Sequence, residues 1–187
     1  MSTGENASPP SSVPASPRFE WTKIGTDWQA DGSTLIASGM LAEERYAVGS
    51  KVVSSGKVAF TYTINKVFYP DAHMFLGVAE VTDDPEQAKT WGFSPTTGNL
   101  YIGEKLNEHG AEQQKVHLMA DPKGDLTGKQ EGSVITCYVD YDDNTLKFSA
   151  NGEDPIDAKV KELPMSGVRP WVFLYHEGDS VTVEEVC

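Results

Sequence analysis

Asp140-Tyr141-Asp142-Asp143-Asn144 packs three carboxylates and an amide into five residues, the ligand density with which a calcium loop begins. An EF-hand loop also requires glycine at its sixth position and glutamate at its twelfth, to turn the chain and close the coordination shell. Counted from Asp140, those positions hold Thr145 and Asn151, so the motif fails and the carboxylates read as turn residues. His73, His109, His117 and His176 are scattered, with no i, i+4 pair and no acidic neighbour in a metal-binding pattern. There is no Gly-x-Ser-x-Gly elbow, no P-loop and no Gly-x-Gly-x-x-Gly. Cys137, between Thr136 and Tyr138 in an apolar run, sits where thiols are inert. The expectation is therefore no enzyme, no cofactor and no metal.

Aromatic clusters are the remaining candidates for chemistry, and theirs is the chemistry of binding. Phe68-Tyr69 and His73 bracket Pro70-Asp71; Trp91-Gly92-Phe93 and Tyr101 follow; Trp171, Phe173, Tyr175 and His176 stand near the end. Tyr and Trp carry much of the energy at protein interfaces and are equally good core residues. Trp91, Phe93 and Trp171 read as core. For Tyr69 and His176, beside turn signals, core and surface stay open.

Composition narrows the partners. The chain has 187 residues, with 15 Lys and Arg against 28 Asp and Glu, a net charge of −13. Such a surface repels phosphate backbones and anionic membranes, so neither nucleic acid nor membrane is expected as partner. It favours solubility and encounter with a basic segment. A chain of this length buries roughly 70% of its unfolded surface and needs no staples. Two cysteines are too few for a disulfide framework, which points to a reducing, cytoplasmic or other intracellular compartment. Met1–Arg18 lacks the apolar core of a signal peptide, and no apolar run approaches a membrane span. The Asn6 sequon carries little weight without secretion, and Cys187 stands too late for a prenylation box.

The elements that must hold the aromatic residues are strands. Residues 1–18, with Pro9, Pro10, Pro14 and Pro17 among serines, bury too little to order themselves and read as a disordered tail. From Phe19 on, period-two alternation takes over. Val58, Phe60, Tyr62 and Ile64 share one face of a strand, with Ala59, Thr61 and Thr63 on the other. Val134–Tyr141 and Thr145–Ala150 form a hairpin, and Asn151-Gly152 supplies a tight turn that tolerates positive φ. Val168–Tyr175 and Ser180–Val186 read as a further hairpin around Glu177-Gly178-Asp179. Met74–Val81 is apolar on both faces and reads as a covered strand. Glu86–Thr90 reads as one helical turn at most, and Leu106–Gln114 as loop. The fold class is all-β, a two-layer antiparallel β-sandwich over 19–187.

The ordered motifs resemble the SPRY domain, the core of the B30.2 module. Gly56-Lys57 leads an aromatic strand, and Phe75-Leu76-Gly77-Val78-Ala79 matches a hydrophobic-Gly-Val strand. Trp91-Gly92-Phe93 and Gly98-Asn99-Leu100-Tyr101 follow in order. Gly132–Asp140, Leu146-Lys147-Phe148 with Asn151-Gly152, and Val168-Arg169-Pro170-Trp171-Val172 complete the series over residues 40–186. Ser133, Thr136 and Arg169 depart from the usual Asp, Gly and aromatic residue. The resemblance implies a concanavalin-like, jelly-roll-type sandwich without catalytic residues. It also implies recognition of a short segment of another protein by loops at one end. By position in the SOCS-box-containing subgroup, Tyr175 and His176 would touch that peptide. The stretch Glu80–Thr90 lacks the subgroup's aromatic residue, so its ligand preference does not transfer.

The expected function is thus a monomeric adaptor docking a peptide against Phe68, Tyr69, His73, Trp91, Tyr101, Tyr175 and His176. A carbohydrate-binding lectin-like sandwich, a structural subunit of a larger assembly and a hydrolase are the alternatives.

Overall fold

The alternating run that begins at Lys57 becomes the longest strand, and its pattern sets the layering. Phe60, Tyr62 and Ile64 are fully buried, while the threonines between them face outward and are only partly covered. The computed structural model describes residues 19–24, 27–39, 45–68, 74–107, 111–114 and 131–186; the tail expected over 1–18 lies outside them. Among the described residues there are fourteen strands: β1 (Trp21–Ile24), β2 (Trp28–Asp31), β3 (Thr34–Ala37), β4 (Tyr46–Gly49), β5 (Lys57–Lys66), β6 (Phe75–Glu80), β7 (Thr90–Ser94), β8 (Asn99–Gly103), β9 (Ala111–Gln114), β10 (Val134–Asp140), β11 (Thr145–Ala150), β12 (Ile156–Asp157), β13 (Val168–Phe173) and β14 (Ser180–Val186).

They form two antiparallel sheets of seven. The first runs β1-β4-β13-β6-β7-β8-β9, the second β12-β11-β10-β5-β14-β3-β2. Between them lies the main core, where Leu76, Val78, Phe93 and Val172 of the first sheet meet Phe60, Ile135, Phe148 and Val183 of the second. Burying each such side chain contributes about 1.5–3 kcal/mol. Phe93 and Phe148 stack across the gap with centroids 6.5 Å apart. The Tyr62 hydroxyl also crosses it, donating to the carbonyl of Gly77. That carbonyl is buried between the layers, and the tyrosine satisfies it there.

The first sheet is apolar on its outer face too. Tyr46, Val48, Phe75, Trp171 and Phe173 form a second cluster there, with Leu106 and Ala88. Trp171, Gly77, Gly92 and Tyr101 share one row across β13, β6, β7 and β8. A Cβ on Gly92 would come within 2.8 Å of Cζ3 of Trp171, so glycine leaves the space this indole fills. Trp171 Nε1 donates to the Leu106 carbonyl at 3.0 Å, holding the 104–107 segment over the row. The both-face burial expected for Met74–Val81 follows from this second cluster.

Three local expectations differ from the structure. Val168–Phe173 and Ser180–Val186 are strands but not a hairpin, because β13 pairs with β4 and β6 and β14 with β3 and β5. Their connection is an arch from one sheet to the other. Ala111–Gln114 pairs with β8 as an edge strand instead of looping. The single turn begins earlier, as a 3-10 turn Pro85–Gln87 capped by Asp84, whose side chain accepts from the Glu86 amide. The turn at 151–152 has positive φ at both residues, 52° and 78°, as the Asn-Gly pair allows.

Candidate functional site

The 174–179 arch is tied down at both ends. Leaving the first sheet, Leu174 donates its N–H to the Arg45 carbonyl at 2.9 Å. Entering the second, Gly178 donates to the Ala37 carbonyl at 2.7 Å, and Ala37 returns a bond to the Asp179 carbonyl at 2.9 Å. Gly178 sits at φ +91°, a conformation glycine takes without steric cost.

Asp179 is the keystone. Its side chain is buried; Oδ1 accepts the Phe68 amide at 2.9 Å and Oδ2 the His176 amide at 3.2 Å. Burial pushes this carboxyl above the usual aspartate range, and the amides of Phe68 and His176 pull it back. The end of β5 and the arch are therefore joined through one carboxylate. The Phe68 ring lies against Gly178, where an added Cβ would be 3.4 Å from its Cδ2.

What this scaffold presents is aromatic. Phe68 is 52% exposed and Tyr175 37%. The Arg45 guanidinium lies 3.9 Å from the Tyr175 ring centroid, and the His176 ring meets Tyr175 edge-on at 5.0 Å. Lys66 Nζ stands 5.9 Å from the Phe68 centroid. Exposed cation–π contacts of this kind contribute about 0.5–1 kcal/mol and hold rings in place. Arg45 is positioned in turn by Asn107, whose Oδ1 accepts its amide at 2.9 Å. Held rings beside hydrogen-bond donors are the kind of surface that can anchor another molecule.

Two of the three carboxylates of the failed calcium motif, Asp140 and Asp143, are partnered by a lysine. Lys57 Nζ lies 2.7 Å from Asp140 Oδ2 and 3.2 Å from Asp143 Oδ2. Asp140 Oδ1 accepts the amides of Asp142 and Asp143, closing the turn. Cys137 is buried in the main core, and burial pushes its thiol well up, away from the reactive thiolate.

A family model described as the SPRY domain matches residues 72–186. The chain belongs to the SPRY domain family. Its sandwich is similar to the SPRY domain of human HERC1, with 24% identity over 84% of this chain and 93% of that one and a TM-score of 0.57. Another human SPRY domain aligns at 17% identity, covering 89% of this chain and 96% of that one, with a TM-score of 0.53. The TRIM65 PSpry domain aligns at 11%, covering 90% of each chain, with a TM-score of 0.56. At these identities the likeness is one of fold. No curated protein sequence matches the chain.

Within this SPRY domain the expected site residues separate. Phe68, Tyr175 and His176 come together around Asp179. Tyr69 and His73 lie outside the described residues. Trp91 is 5% exposed and packs in the main core, so it is a core residue and not part of the surface patch. Alternation along β7 turns it inward with Phe93. Tyr101 packs edge-on against Phe75 at 4.8 Å, in the row of Trp171, and borders the outer cluster rather than the patch. The sequence reading missed Asp179 and Arg45. Asp179 had a signal, as the last residue of a Glu-Gly-Asp turn; Arg45 had none, because its partner Tyr175 is 130 residues away.

Proposed function

We propose that this SPRY domain is a non-catalytic adaptor that docks a short peptide segment of another protein on the Phe68–Tyr175–His176 surface. SPRY domains generally serve as protein-interaction modules; the peptide, the place and the adaptor role are proposed for this one. One observation carries it: a single buried carboxylate ties the backbone amides of Phe68 and His176 together, and Arg45 lies over the ring of Tyr175 beside them, so two exposed aromatic residues stand on joined segments before a partner arrives. Pre-positioned rings lose little entropy on binding. The Phe68 and Tyr175 faces supply apolar area, and Arg45, Lys66 and His176 supply donors at the rim. Tyr69 and His73 join the proposal through their place in sequence beside Phe68. The protein is proposed to act as a monomer inside the cell, where Cys137 stays reduced.

The test is affinity capture with quantitative mass spectrometry, comparing wild type with Phe68→Ala/Tyr175→Ala. The expected outcome is loss of specific partners from the double variant at unchanged thermal stability. Equal recovery by both proteins would place the site elsewhere.

A further inference from the structure

The ladder at one edge of the first sheet stops before its template does. β1 is the edge strand there and pairs with β4, Trp21 opposite Gly49. One rung further, the Ser50 amide donates to the Glu20 carbonyl at 2.8 Å, so the pairing runs past the end of both strands. The chain after β4 then continues alone. Val53 gives and takes a backbone bond with Val168 of β13, each 2.8 Å. Bonding direction alternates along an extended chain, so Val52 and Ser54 aim their amides and carbonyls the other way, towards the line of β1. Among the described residues those groups have no partner. An open row of this kind is a template for another strand.

Beside the row lies a cleft of 630 Å³, lined by Phe19, Val52 and the fully buried Val183. The Phe19 ring occupies the space over Gly49, where an added Cβ would come within 2.6 Å of Cζ, and it meets Trp21 edge-on at 5.0 Å. Both rings pack against the main core, so positions 19 and 21 turn inward. Phe19 is also the first described residue. The chain that precedes it therefore starts at the cleft and in line with the open row.

The sequence before Phe19 suits that place. Stepping back by two from Phe19 meets Pro17, Ala15 and Val13, all apolar, while Arg18 and Ser16 between them are polar. This is the alternation of a strand with one covered face. With Glu20 opposite Ser50, Arg18 falls opposite Val52 and Ser16 opposite Ser54, so their backbone groups meet the open row. Pro17 has no N–H, and it falls where that group would point away from β4 into solvent, as an edge strand allows. Pro14 falls where a donor is needed, which ends the ladder.

We infer that Ala15–Arg18 continue β1 along Val52 and Ser54, with Pro17 and Ala15 over the cleft. The chain thus covers its own open edge, and the tail expected over 1–18 is shortened to its first fourteen residues.

The test is disulfide trapping in the full chain carrying Cys187→Ser. Opposed residues that exchange both backbone bonds stand about 5.5 Å apart at Cα, inside the span of about 4.4–6.8 Å that a disulfide bridges. Arg18→Cys/Val52→Cys should close within one chain about tenfold faster, or more, than Asn6→Cys/Val52→Cys, which is tethered near the row but held in no register. Hydrogen exchange reads the same pairing without cysteines. The Val52 and Ser54 amides should be protected in wild type and exchange about tenfold faster in Arg18→Pro, which removes the donor facing Val52. Ala15→Pro, where the lost amide faces solvent, should leave that protection unchanged. Equal closure by the two cysteine pairs would overturn the proposal. So would disulfides joining two chains, which would give the edge to a second copy, or Val52 and Ser54 amides unprotected in wild type.

Discussion

The carboxylate of Asp179 accepts the backbone amide of Phe68 at 2.9 Å, across 111 residues of sequence. Its other oxygen holds His176, so removing the side chain strands two donors where water has little access. Asp179→Ala should cost about 1–3 kcal/mol of stability, measured by urea unfolding. It should also raise hydrogen exchange at Phe68 and His176 before any other part of the sandwich opens.

Asp179 and Asp140 should respond to pH in opposite senses. Burial raises the Asp179 carboxyl, so its folded form holds the proton more tightly than the unfolded chain. The advantage of wild type over Asp179→Asn is then greatest below the ordinary aspartate range and declines as pH rises through the raised value. The Asp140 carboxyl is held low, first by Lys57 and then by the turn amides. Its contribution is present at neutral pH and lost as pH falls through the depressed value. Lys57→Met should therefore lose stability at neutral pH and approach wild type on acidification. Urea midpoints for the three proteins across pH check both signs.

Gly92→Ala should destabilise by about 1–3 kcal/mol, the usual cost of forcing atoms into a filled core. The obstacle is the Trp171 ring at 2.8 Å, which cannot swing away while its Nε1 is bonded to Leu106. Trp171→Phe in the same background should recover part of the loss, and thermal melts of the single and double variants measure it.

Much of the fold was readable because period-two alternation is a local signal. Phe60, Tyr62 and Ile64 are buried as their spacing implies, and the Asn151-Gly152 turn has the backbone its residues demand. The choice of neighbour for a strand is not local. Val168–Tyr175, a Glu-Gly-Asp turn and Ser180–Val186 look alike whether the turn closes a hairpin or spans two sheets. What decides is the packing of Trp171 and Phe173 on the outer face of the first sheet, against Leu106 and Phe75. The candidate site was legible in part for the same reason. Exposure of Phe68 and Tyr175 agrees with their place beside turns, but the bond between Asp179 and Phe68 joins segments that no spacing rule connects.

Cys137 should not react with thiol reagents in the folded protein. Desolvation disfavours the thiolate, and no surface reaches the sulfur. In a Cys187→Ser background, modification by a chromogenic disulfide should follow global unfolding and rise in step with urea. Rapid labelling of the native protein would contradict the buried position.

β14 is the last of the described strands, yet it lies between β5 and β3 inside its sheet. Before residues 180–186 have been synthesised, the β2–β3 hairpin and the β5–β10–β11–β12 block share no neighbour in that sheet. Along the chain, the two halves of this layer are therefore both written before the strand that lies between them.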